Sequence, residues 1–322
     1  MFDAHARGQF LSETLRLVMV PTLCEAVVVV PLLLLAIRSR TAADSQQREL
    51  VRLSKSGRAA AIGLIGCCLI FVCVIPCALE AKNVVDGFPV VLGSRNQLIG
   101  LLREVGVGVA FGLLAAIVAC FAARRLRTFA AGQRRSKIKT SLLVLLGVPG
   151  LWGSFVLGIV ALAAFQTSAL NGVYNTPIPL VLTLALFLFP RVVLLSVLLF
   201  SGRKAEGQRL SELLNTSVDN SQRQQSRYLS WMLSGRMEFL TVAIPAWWGY
   251  FNLTLAAMLA PVGMVTAPVN LYNLMHYGRT AALSAIALLA VLLPLTLGWI
   301  GFLILRQLTR IADRKQSFDT RR

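Results

Sequence analysis

Histidine and acidic residues are scarce in this sequence. It has two histidines, His5 and His276, and 14 Asp and Glu residues against 32 Lys and Arg residues. Its six cysteines lie inside apolar runs and do not form the paired Cys and His pattern of a zinc site. There is no Gly-rich lysine loop of an NTPase, no dinucleotide-binding turn and no HExxH signature. We therefore expect no metal, no cofactor and no catalytic activity in this chain.

Long apolar runs are what the sequence does have. Hydrophobic residues make up 56% of the chain, whereas soluble domains average roughly 45–50%. The runs are close to the ~20 residues that cross a ~30 Å hydrocarbon core as a helix. The sequence therefore predicts an all-α membrane protein, multi-pass in the lipid bilayer, with about seven transmembrane helices. The predicted spans are 17–37, 59–79, 105–123, 141–165, 178–200, 239–260 and 280–305.

The basic residues predict the orientation of these spans. Segments 38–58, 124–139, 203–236 and 306–322 together carry 25 Lys and Arg residues, and the alternate segments carry six. Cytoplasmic loops of membrane proteins carry the excess of positive charge. We therefore expect a cytoplasmic C-terminus, an external N-terminus and a location in the cell inner membrane. The charge has a topological explanation, so nucleic acid is not an expected partner.

The first span is predicted to belong to a separate unit. Residues 1–37 hold this helix, and 38–58 form a polar, linker-like cytoplasmic segment. The remaining six spans, within 59–305, form a module with both ends in the cytoplasm, followed by a basic cytoplasmic tail at 306–322.

Polar residues inside the apolar runs are the candidate functional residues, because ionisable groups in spans are costly and often functional. Glu25 lies in the first span and Arg191 follows Pro190 in the fifth. Glu25 can pair with a neighbouring helix, and Arg191 can satisfy the carbonyl that Pro190 frees. Four further residues are candidates for lining a translocation pathway: Asn252, Thr254, Tyr272 and His276. The structural alternative for them is hydrogen bonding between helices or anchoring at the membrane interface.

The polar segment 203–236 is the longest one between two spans. Leu210, Leu213 and Leu214 recur in it at helical spacing. This pattern indicates a short amphipathic helix that packs either on the protein's own helix ends or in a partner's groove, with a solvated loop as the alternative.

Two stretches of the chain carry a family resemblance. Glu212, Leu213 and Leu214 can stand at the Glu-Ala-Ala of a cytoplasmic signature, with Val218 at its Gly position; the closing Ile-x-Leu-Pro is absent at 228–231. The later stretch, 255–272, has small residues, then Leu, Pro, Gly, Thr, an apolar residue and Tyr. In these stretches and in its six-span module, the chain resembles the permease subunit of binding-protein-dependent ABC importers of the ferric iron, thiamine and spermidine type.

The resemblance implies a function and a set of partners. The chain would be a type I importer permease that moves a small solute, with ferric iron among the candidates. A periplasmic solute-binding protein would deliver the solute, and a separate ATP-binding subunit would dock on the loop at 203–236. A second permease module would complete the pathway, and the leftover first span would make this chain the C-terminal half of a fused permease. The alternative is a degenerate permease remnant or membrane scaffold without transport activity, which the incomplete signature favours.

Overall fold

The computed structural model describes Val27 and residues 55–130, 146–201, 235–276 and 280–319. The predicted first span and almost all of the loop at 203–236 lie outside these residues. Where the structure describes the chain, nearly every residue is helical and no strand is found. Together with several long apolar helices, this confirms an all-α protein suited to a membrane.

Ten α-helices make up the described part of the chain. The first two, α1 and α2, are joined by a π-helical turn at Ile70–Val74, and residues 146–151 form a further helical stretch. The helices are α1 (Lys55–Leu69), α2 (Ile75–Gly93), α3 (Arg95–Ala130), α4 (Ser154–Phe165), α5 (Asn171–Tyr174), α6 (Pro177–Ser201), α7 (Arg236–Tyr250), α8 (Leu253–Leu259), α9 (Ala267–His276) and α10 (Thr280–Asp319).

Three of these helices are long and apolar enough to cross a membrane, namely α3, α6 and α10. The pair α7 and α8, bent by 64° at a short break, can supply a fourth crossing. These four coincide with the predicted spans at 105–123, 178–200, 280–305 and 239–260. The count of seven spans and the division into domains remain predictions.

The structure differs from the prediction between the spans. The segment 80–104, expected as an outer loop, is helical apart from Ser94, where α2 ends and α3 begins. Conversely, the expected span 141–165 is interrupted at Trp152 and Gly153. The helices extend through 80–104 because hydropathy reports only where a residue prefers to lie, whereas Lys, Arg, Glu and Gln are also good helix formers. Polar residues can therefore extend a helix past its apolar part.

The central packing unit consists of α3, α6 and α7. Small residues let α3 and α7 approach closely, as is typical of membrane helix pairs. A Cβ atom at Gly112 of α3 would collide with the backbone oxygen of Ala246 and lie 2.9 Å from the nitrogen of Tyr250. Across the contact, a Cβ atom at Gly249 of α7 would lie 3.1 Å from the Cα of Gly112. Glycine on both sides therefore sets the distance between the two helices. The side chains buried around them include Phe111, Ala115, Ala119, Leu184, Leu188 and Val192.

The last helix, α10, packs mainly on α2 and also contacts α9. Ser284 of α10 donates a hydrogen bond of 2.7 Å to Glu80 of α2. On another face, Tyr250 of α7 donates a hydrogen bond of 2.8 Å to the carbonyl of Ala290. Only 11% of the apolar window of α10 is buried in the protein, so most of its surface is available to lipid.

Replacing Gly112 with leucine should separate α3 from α7. The new side chain would meet backbone atoms, which cannot rotate away, and overpacking of this kind costs roughly 1–3 kcal/mol. We expect the Gly112→Leu protein to unfold at a lower temperature in detergent. The matched control is Gly106→Leu on the same helix, where a Cβ atom meets nothing within 4 Å. Equal unfolding temperatures for the two variants would contradict the close approach.

Candidate functional site

The most irregular part of the described membrane region is the break between α7 and α8. The two helices are separated by Phe251 and Asn252 and differ in direction by 64°. Asn252 caps α8: its side-chain oxygen accepts a hydrogen bond of 3.1 Å from the N–H of Leu255. Asparagine suits this position because its side chain replaces a backbone partner at a helix start. The break is therefore encoded locally, by an Asn within an apolar run.

The chain after α8 does not continue as a helix. Pro261 follows directly after Ala260, which is extended at φ −66°, ψ 138°. Gly263 has a φ of +83°, a conformation that side-chain-bearing residues rarely adopt. The turn closes with a hydrogen bond of 3.0 Å from the N–H of Met264 to the carbonyl of Pro261. The chain then enters α9, so the stretch 255–272 consists of most of α8, a turn and the first part of α9.

A cavity of about 340 Å³ opens beside the break. Three of the residues predicted to be functional, Arg191, Asn252 and Thr254, line this cavity together. They come from two elements distant in sequence, α6 and the start of α8. The other lining residues are Ser154, Phe187, Trp248, Phe251 and Leu253. The cavity thus combines a few polar groups with an aromatic wall, as small-molecule sites commonly do.

Arg191 is held in position by backbone and aromatic contacts. Its guanidinium donates to the carbonyl of Gly150 at 3.1 Å and to that of Phe187 on its own helix. The guanidinium carbon lies 3.8 Å from the centre of the Phe187 ring, within the range of a cation–π interaction. These contacts fix the orientation of the positive charge at the wall of the cavity.

Gly150 explains how its own carbonyl can reach Arg191, because it packs on α6 at Pro190, the residue before Arg191. Proline has no N–H, so the carbonyl of Leu186 receives no helical hydrogen bond from position 190. Gly150 packs against this point, where a Cβ atom would collide with the Leu186 oxygen and lie 2.6 Å from Pro190 Cδ. The glycine brings the end of the 146–151 helix close enough for its carbonyl to reach Arg191.

The other predicted pathway residues do not line this cavity. Tyr272 and His276 lie on α9 with their rings edge to face, their centroids 4.6 Å apart. Both are exposed. The structure therefore places Arg191, Asn252 and Thr254 at one location and Tyr272 and His276 at another. Glu25 and the coupling-loop residues Glu212, Leu213, Leu214 and Val218 lie outside the described residues.

A polar cluster within the membrane region was not predicted from the sequence. Asn270 of α9 donates a hydrogen bond of 2.8 Å to the carboxylate of Glu104 on α3. Near it, the hydroxyl of Thr266 is buried, and within the described residues it has no hydrogen-bond partner. The Tyr250 ring packs on Gly108, where a Cβ atom would lie 2.9 Å from it. The cluster therefore joins α3, α7, α9 and the turn that precedes α9.

The sequence did contain a signal for this cluster. Glu104 stands one residue before the predicted span 105–123 and was assigned to an outer loop. In the structure the part of α3 that is long and apolar enough to cross a membrane runs from Arg95 to Arg125, so Glu104 lies within this candidate span. Among the described residues, no group of three or more His, Cys, Asp or Glu side chains could hold a metal ion.

No protein-family model matches this chain, and no curated protein is significantly similar to it.

The Glu104–Asn270 contact can be tested by removing the amide. In Asn270→Leu the carboxylate loses its donor, and because Glu104 is only half-buried we expect a loss of about 1 kcal/mol in the free energy of unfolding. Asn273→Leu on the same helix is the control, because Asn273 is exposed. Chemical denaturation in detergent measures the free energy of unfolding of both variants. If Asn273→Leu cost as much as Asn270→Leu, the hydrogen bond would contribute nothing specific.

Proposed function

We propose that this chain is the membrane-embedded permease subunit of a solute importer. The observation that supports the proposal best is the break between α7 and α8, with Arg191, Asn252 and Thr254 around one cavity. The proposal does not depend on the number of spans.

The physical argument comes from the backbone. In hydrocarbon every N–H and C=O needs a partner, so non-helical chain at membrane depth is tolerated only where it is buried or lines a cavity. Transporters use such broken helices to build solute sites, because the ends of the half-helices present unpaired backbone groups to the solute. Here the break is followed by a seven-residue helix and a glycine turn. This arrangement suits a site that admits a small solute better than one that only holds two helices together.

The side chains around the cavity suggest what they would do. Asn252 and Thr254 offer hydrogen bonds to a polar solute, and Arg191 offers a fixed positive charge. The aromatic side chains Phe187, Trp248 and Phe251 would limit the size of the solute and exclude bulk water. Pro190 and the α7–α8 break are points at which the two sides of the cavity can move apart, since kinks in membrane helices arise where the backbone ladder is interrupted.

More specifically, we propose that the importer is an ABC importer of type I. A periplasmic binding protein would deliver the solute, and ATP-driven closure of a separate subunit would move the docking helix around Glu212. A second permease module would complete the pathway across the inner membrane, with the C-terminus of this chain in the cytoplasm. This part rests on the resemblance of the segments 203–236 and 255–272 to that family.

A scaffold or permease remnant without transport activity is the second candidate. The observation in its favour is the signature in the cytoplasmic loop, which has Val218 at the glycine position and no Ile-x-Leu-Pro at 228–231. A remnant would retain the membrane fold but would not recruit an ATPase.

The water access of the cavity tests the permease proposal without knowledge of the solute. In a cysteine-free background, Thr254→Cys should react with a membrane-impermeant, charged thiol reagent, since the thiolate that reacts forms only in contact with water. Thr296→Cys is the control, because Thr296 is exposed on the apolar span of α10 and should face lipid. We expect labelling of the first variant to exceed that of the second by at least about tenfold. If the two variants were labelled equally and only weakly, whichever side of the membrane the reagent was added to, the proposal would be overturned.

The docking loop tests the ABC form of the proposal. Glu212→Ala, or a deletion of residues 209–216, should abolish co-purification with an ATP-binding subunit and leave membrane insertion intact. Glu206→Ala removes the same charge from the same loop and should leave co-purification unchanged. If the natural chain and every variant were each purified without an ATP-binding subunit, the result would favour the scaffold.

A further inference from the structure

A second, larger cavity lies between α7 and α10, outside the central packing unit. It is a groove of about 640 Å³. Aromatic and small apolar residues line it, among them Phe239, Trp247, Gly298, Trp299 and Phe302. Its one charged lining residue among those described is Arg236, the first residue of α7. The groove is thus apolar along its length and cationic at one end.

The pairing of the two helices shows which end is cationic. The rings of Phe239 and Phe302 lie 5.4 Å apart, and Tyr250 bonds to the carbonyl of Ala290. Because the residue numbers rise on one helix as they fall on the other, α7 and α10 are antiparallel. Arg236 therefore lies one turn beyond Phe239, beside the end of the groove at Phe302. Arg306 follows Phe302 by four residues and so shares its face of α10.

The carboxylate nearest to Arg236 in sequence is engaged with another helix. Glu238, the nearest carboxylate in sequence, lies 3.5 Å from Arg124 of α3, away from the groove. No carboxylate is among the described residues that line the groove. A ligand that fills it would therefore gain by carrying a negative charge at the Arg236 end.

The length of the groove also restricts its occupant. From Arg236 to Trp247 the wall of α7 spans eleven steps, or about 16 Å at 1.5 Å per residue. The hydrocarbon core of a bilayer is ~30 Å thick, so the groove has the depth of one leaflet. Its cationic end then lies at the level of the lipid headgroups. The exposure of Trp299, which is 64%, leaves the groove open toward lipid.

We propose that the groove between α7 and α10 is a binding site for an anionic phospholipid. One acyl chain lies against Trp247 and Gly298, and the phosphate contacts Arg236. With the predicted orientation of the chain, the lipid comes from the cytoplasmic leaflet, where anionic lipids attract basic residues at the membrane surface. The proposal does not require the transport activity proposed above.

Tryptophan fluorescence can report the occupant. The full chain, with Trp247 kept as its only tryptophan by changing the others to Phe, is reconstituted into phosphatidylcholine vesicles. Bromine atoms on the acyl chains of a minor lipid quench a tryptophan that they touch. We expect brominated phosphatidylglycerol to quench Trp247 at about fivefold lower mole fraction than brominated phosphatidylcholine. The advantage is of the size expected for one basic residue near an anionic surface.

Two matched pairs of variants distinguish this site from bulk lipid. Gly298→Leu should fill the groove, since a Cβ atom there meets nothing within 4 Å; Gly301→Leu, equally unobstructed, does not line the groove. Only Gly298→Leu should reduce the quenching. Arg236→Gln should remove the preference for the anionic lipid, whereas Arg125→Gln, on an exposed residue of α3 near the Arg124–Glu238 pair, should retain it.

Three results would overturn the proposal. Equal quenching by brominated phosphatidylglycerol and brominated phosphatidylcholine would show that the negative charge of the lipid does not contribute to binding. Equal quenching in Gly298→Leu and Gly301→Leu would show that the acyl chain does not occupy the groove. Absence of quenching, with a change of oligomeric state in Gly298→Leu, would show that a second copy of the protein fills it instead.

Discussion

The need to pair every backbone N–H and C=O in a medium without water governs this structure. At the break between α7 and α8 the chain leaves the helical pattern, yet the N–H groups of Phe251, Asn252 and Leu255 keep hydrogen-bond partners. Those of Phe251 and Asn252 reach back to the carbonyls of Trp247 and Gly249, and the Asn252 side chain accepts from Leu255. An aliphatic residue at position 252 could not accept this hydrogen bond, and aspartate, which could accept it, would bring a costly carboxylate into the apolar run. The direction of α8, and with it the shape of the cavity, therefore depends on one side-chain amide.

The same constraint explains the contacts on the opposite wall of the cavity. Pro190 removes a donor from α6, and the helix at 146–151 ends nearby with carbonyls that need partners. Arg191 serves one of these carbonyls and one on its own helix. Glycine at position 150 allows the two backbones to approach. The guanidinium of Arg191, a charge that is costly to place in a membrane, therefore links α6 to the helix at 146–151. The structural and the functional explanations of Arg191 are therefore compatible, since the residue that links the two helices also lines the cavity.

The sequence predicted the apolar helices better than it predicted the interruptions. The span 178–200 differs from α6 by one residue at each end, because a long apolar run between polar segments has few alternative explanations. The break at Asn252 was not predicted, since a single Asn in an apolar run can equally form a bond between helices. Glu104 was missed because the hydropathy falls near Arg103 while the helix continues. The convergence of Arg191, Asn252 and Thr254 on one cavity depends on tertiary packing, which periodicity alone does not contain.

The length of α10 gives the protein a mechanical property. Its 40 residues correspond to about 60 Å at 1.5 Å per residue, about twice the ~30 Å thickness of the hydrocarbon core. The part after Gln307 therefore projects from the membrane as a rod continuous with the span. A tilt of about 5° over this length displaces the tip by about 5 Å. Small rotations of the span against α2 and α7 are thus amplified at the C-terminal end, where a soluble protein could detect or impose them.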